Sequence, residues 1–148
     1  MPPPPFSSII VWCGSVPEDE RVRVGRLRWP ILIATREQTP EAAGVGIVEA
    51  FPAMASVRAD VQPVGAMTYW GSMQTDSPGM THRIFIRWRD ALDNTTVIFR
   101  TSLRTDGTLR WERFRVRRCK ELGGRKRFLC IECELEQTGT GNNPDVGQ

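Results

Sequence analysis

The strongest constraint on the fold is the strict alternation of side chains along Met80–Arg89. A period of two is typical of a β-strand with one buried face. The predicted inner face carries His82, Ile84, Ile86 and Trp88, and the outer face carries Thr81, Arg83, Phe85, Arg87 and Arg89. The stretch therefore predicts a central strand. Its three outward arginines fit a solvated surface, a nucleic acid or an acidic partner.

Composition narrows the class of protein. A chain of 148 residues with 40% hydrophobic and 25% charged residues predicts a single globular domain. A net charge of +3 is only mildly basic, so dedicated DNA binding is not indicated. We expect no membrane span and no signal peptide, because the long apolar runs that both need are missing. The four scattered cysteines favour a reduced, intracellular setting.

Further strands are predicted on both sides of this stretch. Leu27–Arg36 should be an edge or bulged strand because Pro30 lacks a backbone donor. Asp106-Gly107 is a strong hairpin signal. The other predicted strands are Ala55–Gln62, Thr96–Leu103 and Thr108–Arg118, with a short helix at residues 66–75. The fold class is all-β: a small antiparallel barrel or sandwich with one short helix, a long loop and extended termini.

The last hairpin predicts a register as well as two strands. A two-residue turn at Gly123-Gly124 would place Arg115 opposite Glu132 and Arg113 opposite Glu134. Such pairs would neutralise much of the arginine charge within the sheet.

Three segments lie outside this regular pattern. Residues 37–53 predict a long loop with an apolar tip of Val45, Ile47, Val48 and Phe51, which favours contact with something outside the monomer. Residues 1–22 are expected to form an extended arm. Its apolar run of Ile9, Ile10, Val11 and Trp12 is a candidate docking segment, and a flexible terminus is the alternative. Residues 137–148 are a polar tail, so the barrel domain is expected at 23–136.

The sequence offers no catalytic set. His82 lies on the apolar face of a strand, where a core role is far commoner than catalysis. Cys130 and Cys133 have a CxxC spacing, but on a strand they face opposite sides, which argues against a shared metal. We therefore expect no enzyme activity, no metal and no cofactor.

Nucleic acid is a stronger alternative to a purely structural role. Arginines interleaved with Trp88, Trp111 and Phe128 would suit a β-barrel that binds single strands. The candidate basic residues, which would face DNA or a neighbouring subunit, are Arg83, Arg87, Arg89, Arg113, Arg115 and Arg117.

Four motifs in order resemble phage head–tail joining proteins of the head-closure, or stopper, type found in siphovirus connectors. They are Val24-Gly25-Arg26-Leu27-Arg28, the strand Ala55–Pro63, the stretch Thr81–Arg89 and the closing hairpin Phe114–Glu136. The resemblance covers about residues 24–136. The chain departs from it in its two termini, in a longer Ile98–Arg110 segment and in an uncharged Met67–Thr75 segment.

The resemblance implies a virion protein that is assembled in the host cytoplasm and forms a ring at the head–tail interface. The ring would have about six copies, with about twelve as the alternative. It would join the portal or adaptor ring above to the tail terminator or tail tube below. The long loop would close the channel against packaged DNA, with Val45, Gly46, Ile47, Val48 and Phe51 forming the lid. An adaptor ring is the alternative within this family.

Overall fold

The computed structural model describes residues 22–52, 54–64, 80–90 and 92–146. A short 3-10 turn at Val24–Arg26 precedes the first strand. The strands within these ranges are β1 (Trp29–Thr35), β2 (Glu37–Pro40), β3 (Ile47–Ala50), β4 (Ala55–Pro63), β5 (His82–Arg87), β6 (Thr96–Leu103), β7 (Leu109–Leu122) and β8 (Phe128–Thr140).

Six of these strands form a closed antiparallel barrel in the order β1-β4-β5-β8-β7-β6. Strands β2 and β3 form a separate two-stranded sheet. The all-β prediction is confirmed, and the barrel is the architecture that forms rather than the sandwich. The predicted helix at residues 66–75 lies outside the described residues.

The core is organised around β5, as the alternation predicts. Ile84 and Ile86 are completely buried, together with Ile98, Phe114 and Ile131 from other strands. The opposite face of β5 is also partly covered, because Phe85 is buried against Leu27 and Cys130. Apolar residues thus lie on both sides of the central strand, and the barrel has an inner core and smaller outer clusters.

The first strand is not at an edge, so that prediction is wrong. Strand β1 pairs with β4 on one side and with β6 on the other. Pro30 lies opposite Arg58 of β4, whereas the pairing with β6 begins only at Ile31. Because β6 has no residue paired with Pro30, the missing N–H of the proline breaks no hydrogen bond to β6. A central strand can therefore contain this proline.

The predicted register of the last hairpin is also wrong. The turn spans five residues, because Leu122 pairs with Phe128 instead of Arg125. Positive φ angles occur at three residues, Gly123, Gly124 and Lys126. A two-residue turn has only two central residues, so it cannot contain all three. An irregularity between Val116 and Arg118 adds a residue to β7, which brings Val116 opposite Cys133 and Arg115 opposite Glu134.

Two boundaries also differ from expectation. Strand β7 continues to Leu122, beyond the predicted end at Arg118, and β8 continues to Thr140, beyond the expected domain limit at 136.

The residues expected to form only a loop at 37–53 contain the β2–β3 hairpin. Pairing of β2 with β3 satisfies backbone groups that an irregular connection would leave to water.

Candidate functional site

The β2–β3 hairpin stands out because every residue from 37 to 50 is exposed. Pro40 pairs with Ile47, and the turn between them is closed by a hydrogen bond from the Glu41 N–H to the Gly46 carbonyl at 2.9 Å. Val45 is 91% exposed, and Ile47 and Val48 are 69% and 49% exposed. The hairpin therefore presents an apolar tip that is not packed on its own barrel.

Phe51 lies at the base of the hairpin and not at its tip. Only 8% of its surface is exposed, and its ring packs edge-on against Phe99 with 5.2 Å between the centroids. The guanidinium carbon of Arg113 lies 5.5 Å from the Phe51 ring centroid. Phe51 thus anchors the hairpin to the barrel, while Val45, Gly46, Ile47 and Val48 remain in the exposed part.

An ionic cluster surrounds this anchor. The Arg113 side chain reaches Glu136 and Asp145 at 3.1 Å each, and Glu49 of the hairpin at 3.6 Å. Arg36 contacts Glu136 and lies 3.8 Å from Glu49. The side chains of both arginines are only 12–13% exposed. The cluster ties the hairpin to β7, β8 and the C-terminal segment, and sequence reasoning missed Arg36, Glu49 and Asp145 in this role.

The candidate basic residues do not form one surface. Arg113 belongs to the ionic cluster, and Arg117 donates to Glu134, with the Nε to Oε2 distance at 2.9 Å. Neighbouring Arg118 pairs with Glu132 at 2.8 Å, and this bond raises the pKa of Arg118. Arg83 is half-buried, whereas Arg87, Arg89 and Arg115 are exposed. The expected Arg–Glu neutralisation across β7 and β8 occurs, but with partners shifted by the true register.

Arg87 contributes to a different feature, a cleft of about 630 Å³. We call it the basic cleft; it is lined by Val22, Val24, Arg87, Trp88, Lys126, Arg127 and Phe128. The Lys126 ammonium lies 5.1 Å from the Trp88 ring centroid, within the range of a cation–π contact. Positively charged side chains and aromatic rings therefore lie side by side at this end of β5.

The residues that suggested chemistry are packed into the barrel. His82 is half-buried and lies edge-on to Phe114, with 4.8 Å between the centroids, and burial lowers its pKa. Cys133 belongs to the inner core and Cys130 to an outer cluster, so the two thiols face opposite sides of β8. Burial raises the pKa of the Cys133 thiol. Both cysteines are thus packing residues of the barrel.

Two further observations concern ligands and membranes. In the described ranges, no three His, Cys, Asp or Glu side chains are grouped closely enough to hold a metal ion. The same residues contain no helix that is long and apolar enough to cross a membrane. The candidate docking residues Ile9, Ile10, Val11 and Trp12 lie outside the described residues.

Comparison with known proteins gives a family. Residues 22–136 match the phage head completion protein family. No curated protein matches the chain. Among solved structures, the chain is similar to the solution structure of protein SF1141 from Shigella flexneri 2a, with 26% identity and a TM-score of 0.55 over 77% of this chain and 96% of that one. The match includes residues of all six barrel strands, and the chain therefore belongs to the phage head completion protein family, a family of structural virion proteins and not of enzymes.

Proposed function

We propose that this protein is a stopper: a ring at the head–tail interface that joins the portal or adaptor to the tail and closes the DNA channel. The observation that supports it most is the β2–β3 hairpin, an exposed apolar tip on a ribbon with an anchored base. Large apolar side chains that are left in water usually meet a partner surface. In a ring of about six copies, the equivalent tips would meet one another at the axis.

The chemistry of the tip suits a gate that opens once. Val45, Ile47 and Val48 would associate by burying apolar area, which involves no directional bonds. Such a lid separates without breaking ion pairs, whereas the base stays attached through Phe51 and the ionic cluster. The tip of the hairpin would thus close the channel, and its base would hold the hairpin on the barrel.

The test is a variant that removes the apolar tip and keeps its base. Particles carrying Val45→Ser, Ile47→Ser and Val48→Ser should assemble and join heads, but lose packaged DNA. A matched control is Leu103→Ser with Leu109→Ser, a cross-strand pair of exposed leucines at the β6–β7 turn. Normal DNA retention in the hairpin variant, or equal leakage in the control, would rule out the lid.

The N-terminal arm has a second proposed role. Its apolar run at Ile9, Ile10, Val11 and Trp12 would pack on a neighbouring subunit or on the adjacent ring, which adds buried area to a small barrel. Deleting residues 2–16 should weaken attachment to the portal–adaptor complex without changing the melting temperature. A deletion that lowers the melting temperature but leaves attachment intact would contradict this role.

Binding of single-stranded nucleic acid is less well supported by the geometry. Arg113, Arg117 and Arg118 are engaged with carboxylates of β8 and the C-terminal segment. A groove for a nucleic acid needs cations that are free to contact phosphates. On the barrel face formed by β7 and β8 these three arginines are not free for that role, although Arg115 is exposed there.

A further inference from the structure

The basic cleft brings together several exposed cations that form no ion pair. Arginines of β7 face glutamates of β8 and form ion pairs with them. Around the cleft, by contrast, Arg87, Lys126 and Arg127 are exposed and form no ion pair with any other residue in the described ranges. Three positive charges therefore surround an aromatic floor of Trp88 and Phe128. The carboxylate of Glu121 accepts a hydrogen bond from the Lys126 backbone N–H at 2.5 Å, but it forms no ion pair with these three side chains.

Chain connectivity keeps an acidic segment within reach of this cleft. Val22 lines the cleft, and Glu18, Asp19 and Glu20 precede it by only two to four residues. An extended chain spans at most about 3.6 Å per residue, so Glu18 cannot be further than about 14 Å from Val22. Such a short tether gives the segment an effective concentration in the millimolar range or above at the cleft.

We propose that the basic cleft binds the acidic triplet Glu18-Asp19-Glu20 of the same chain. The carboxylates would pair with Arg87, Lys126 and Arg127, which supplies the charge that the barrel lacks at this place. This contact fixes where the arm leaves the barrel, and so directs Ile9–Trp12 towards one side of the subunit. The inference refines the arm role proposed above, but it concerns the isolated chain and does not require that role to be correct.

Limited trypsin digestion of the full-length protein tests this contact. Docking of the triplet should protect the peptide bond after Arg21, which lies between the triplet and Val22. Arg127→Glu or Arg87→Glu would repel the triplet and leave the sequence around Arg21 unchanged. We expect release of residues 1–21, followed by mass spectrometry, to become several-fold faster in both variants.

The control is Arg104→Glu, which makes the same charge change at an exposed turn position next to a strand end. It should leave the release rate unchanged, with thermal melting confirming that all variants are folded. A second measurement is the indole N–H resonance of Trp88, which should shift when Glu18→Gln, Asp19→Asn and Glu20→Gln are combined.

Three results would overturn the proposal. Equal release rates for Arg127→Glu and Arg104→Glu would show that the cleft does not hold the segment. A protection that grows with protein concentration would assign the segment to a second copy. Binding of a single-stranded oligonucleotide that is lost in Arg127→Glu, with no change in release of residues 1–21, would assign the cleft to nucleic acid.

Discussion

At the scale of single residues, close contacts across strands explain positions that look unremarkable in the sequence. Gly139 of β8 lies opposite Trp111 of β7, and Trp111 is only 5% exposed. A Cβ atom at Gly139 would lie 2.4 Å from the Trp111 ring. The indole therefore occupies the space that any larger residue at 139 would need. Nothing in a Thr-Gly-Thr stretch predicts this, because the indole comes from a residue far away along the chain.

We therefore expect Gly139→Ala to destabilise the barrel by about 1–3 kcal/mol, the usual cost of overpacking. Gly25→Ala is the matched control, because a Cβ there meets nothing within 4 Å. It should change the free energy of unfolding by no more than about 0.5 kcal/mol. Urea denaturation of both variants provides the comparison, and equal stabilities would contradict the close packing of Trp111 on Gly139.

At the scale of elements, the β2–β3 hairpin depends on side chains from other strands for its position. Its own residues are exposed, so it buries little area of its own. Glu49 accepts a hydrogen bond from Gln38 at 3.0 Å and lies near Arg36 and Arg113. Ion pairs that are partly shielded from water hold geometry better than exposed ones. Glu49 is thus the link between the ribbon and the barrel.

Replacing Glu49→Gln should loosen the hairpin while the barrel remains folded. The amide keeps the shape of the side chain but removes the charge that faces the two arginines. We expect faster amide hydrogen exchange at residues 47–50, with exchange in β5 unchanged. Glu37→Gln is the control, because Glu37 is exposed on the same hairpin and makes no ion pair among the described residues. Identical exchange in both variants would refute the link.

The turns around β6 predict a response to pH. Hydrogen bonds from Thr108 lower the pKa of Asp106, and hydrogen bonds from Thr95, with smaller ones from Thr96, lower the pKa of Asp93. A carboxyl whose pKa is lowered by folding stabilises the fold above its unfolded pKa of 3.8. That contribution is lost as the pH falls through 3.8 towards the lower folded value.

Stability should therefore decrease on acidification below about pH 4, and the double variant Asp93→Asn with Asp106→Asn should show a shallower decrease. Urea midpoints measured at about pH 6 and about pH 3 provide the test. The double variant should lose stability at the higher pH and approach the unsubstituted protein at the lower one. A parallel pH dependence in both proteins would show that these turns do not contribute.

At the scale of the whole molecule, closure of the barrel limits how copies of the chain can associate. Each of the six barrel strands pairs with a neighbour on both sides over part of its length, so the closed part of the barrel has no sheet edge for strand addition. In the described ranges, unpaired edges remain on β2 and β3, on β7 at residues 116–122 and on β8 at residues 134–140. Among the described residues, association must therefore use side-chain surfaces, the hairpin or these strand ends.

Such limited surfaces predict that a ring forms on a template. The purified protein should be a monomer by mass in solution, and it should become a ring only when a portal–adaptor complex is added. Native mass spectrometry of the complex would count the copies. A stable ring without the complex would contradict this prediction, and a monomer that ignores the complex would contradict the connector role itself.

The sequence by itself determined the elements whose signal is local. Alternation in Met80–Arg89 predicted β5 and its buried face, and Asp106-Gly107 predicted the turn between β6 and β7, because side-chain period and turn chemistry act over a few residues. The family was predicted from four short motifs and their order along the chain, which are also read directly from the sequence.

Only the tertiary structure decided the features that join distant parts of the chain. The five-residue turn and the irregularity near Arg117 set which arginine meets which glutamate, and a shift of one residue changes every pair. The ionic cluster joins residues 36, 49, 113, 136 and 145, and the burial of Phe51 depends on Phe99. Such contacts have no local pattern, since they exist only once the barrel has closed.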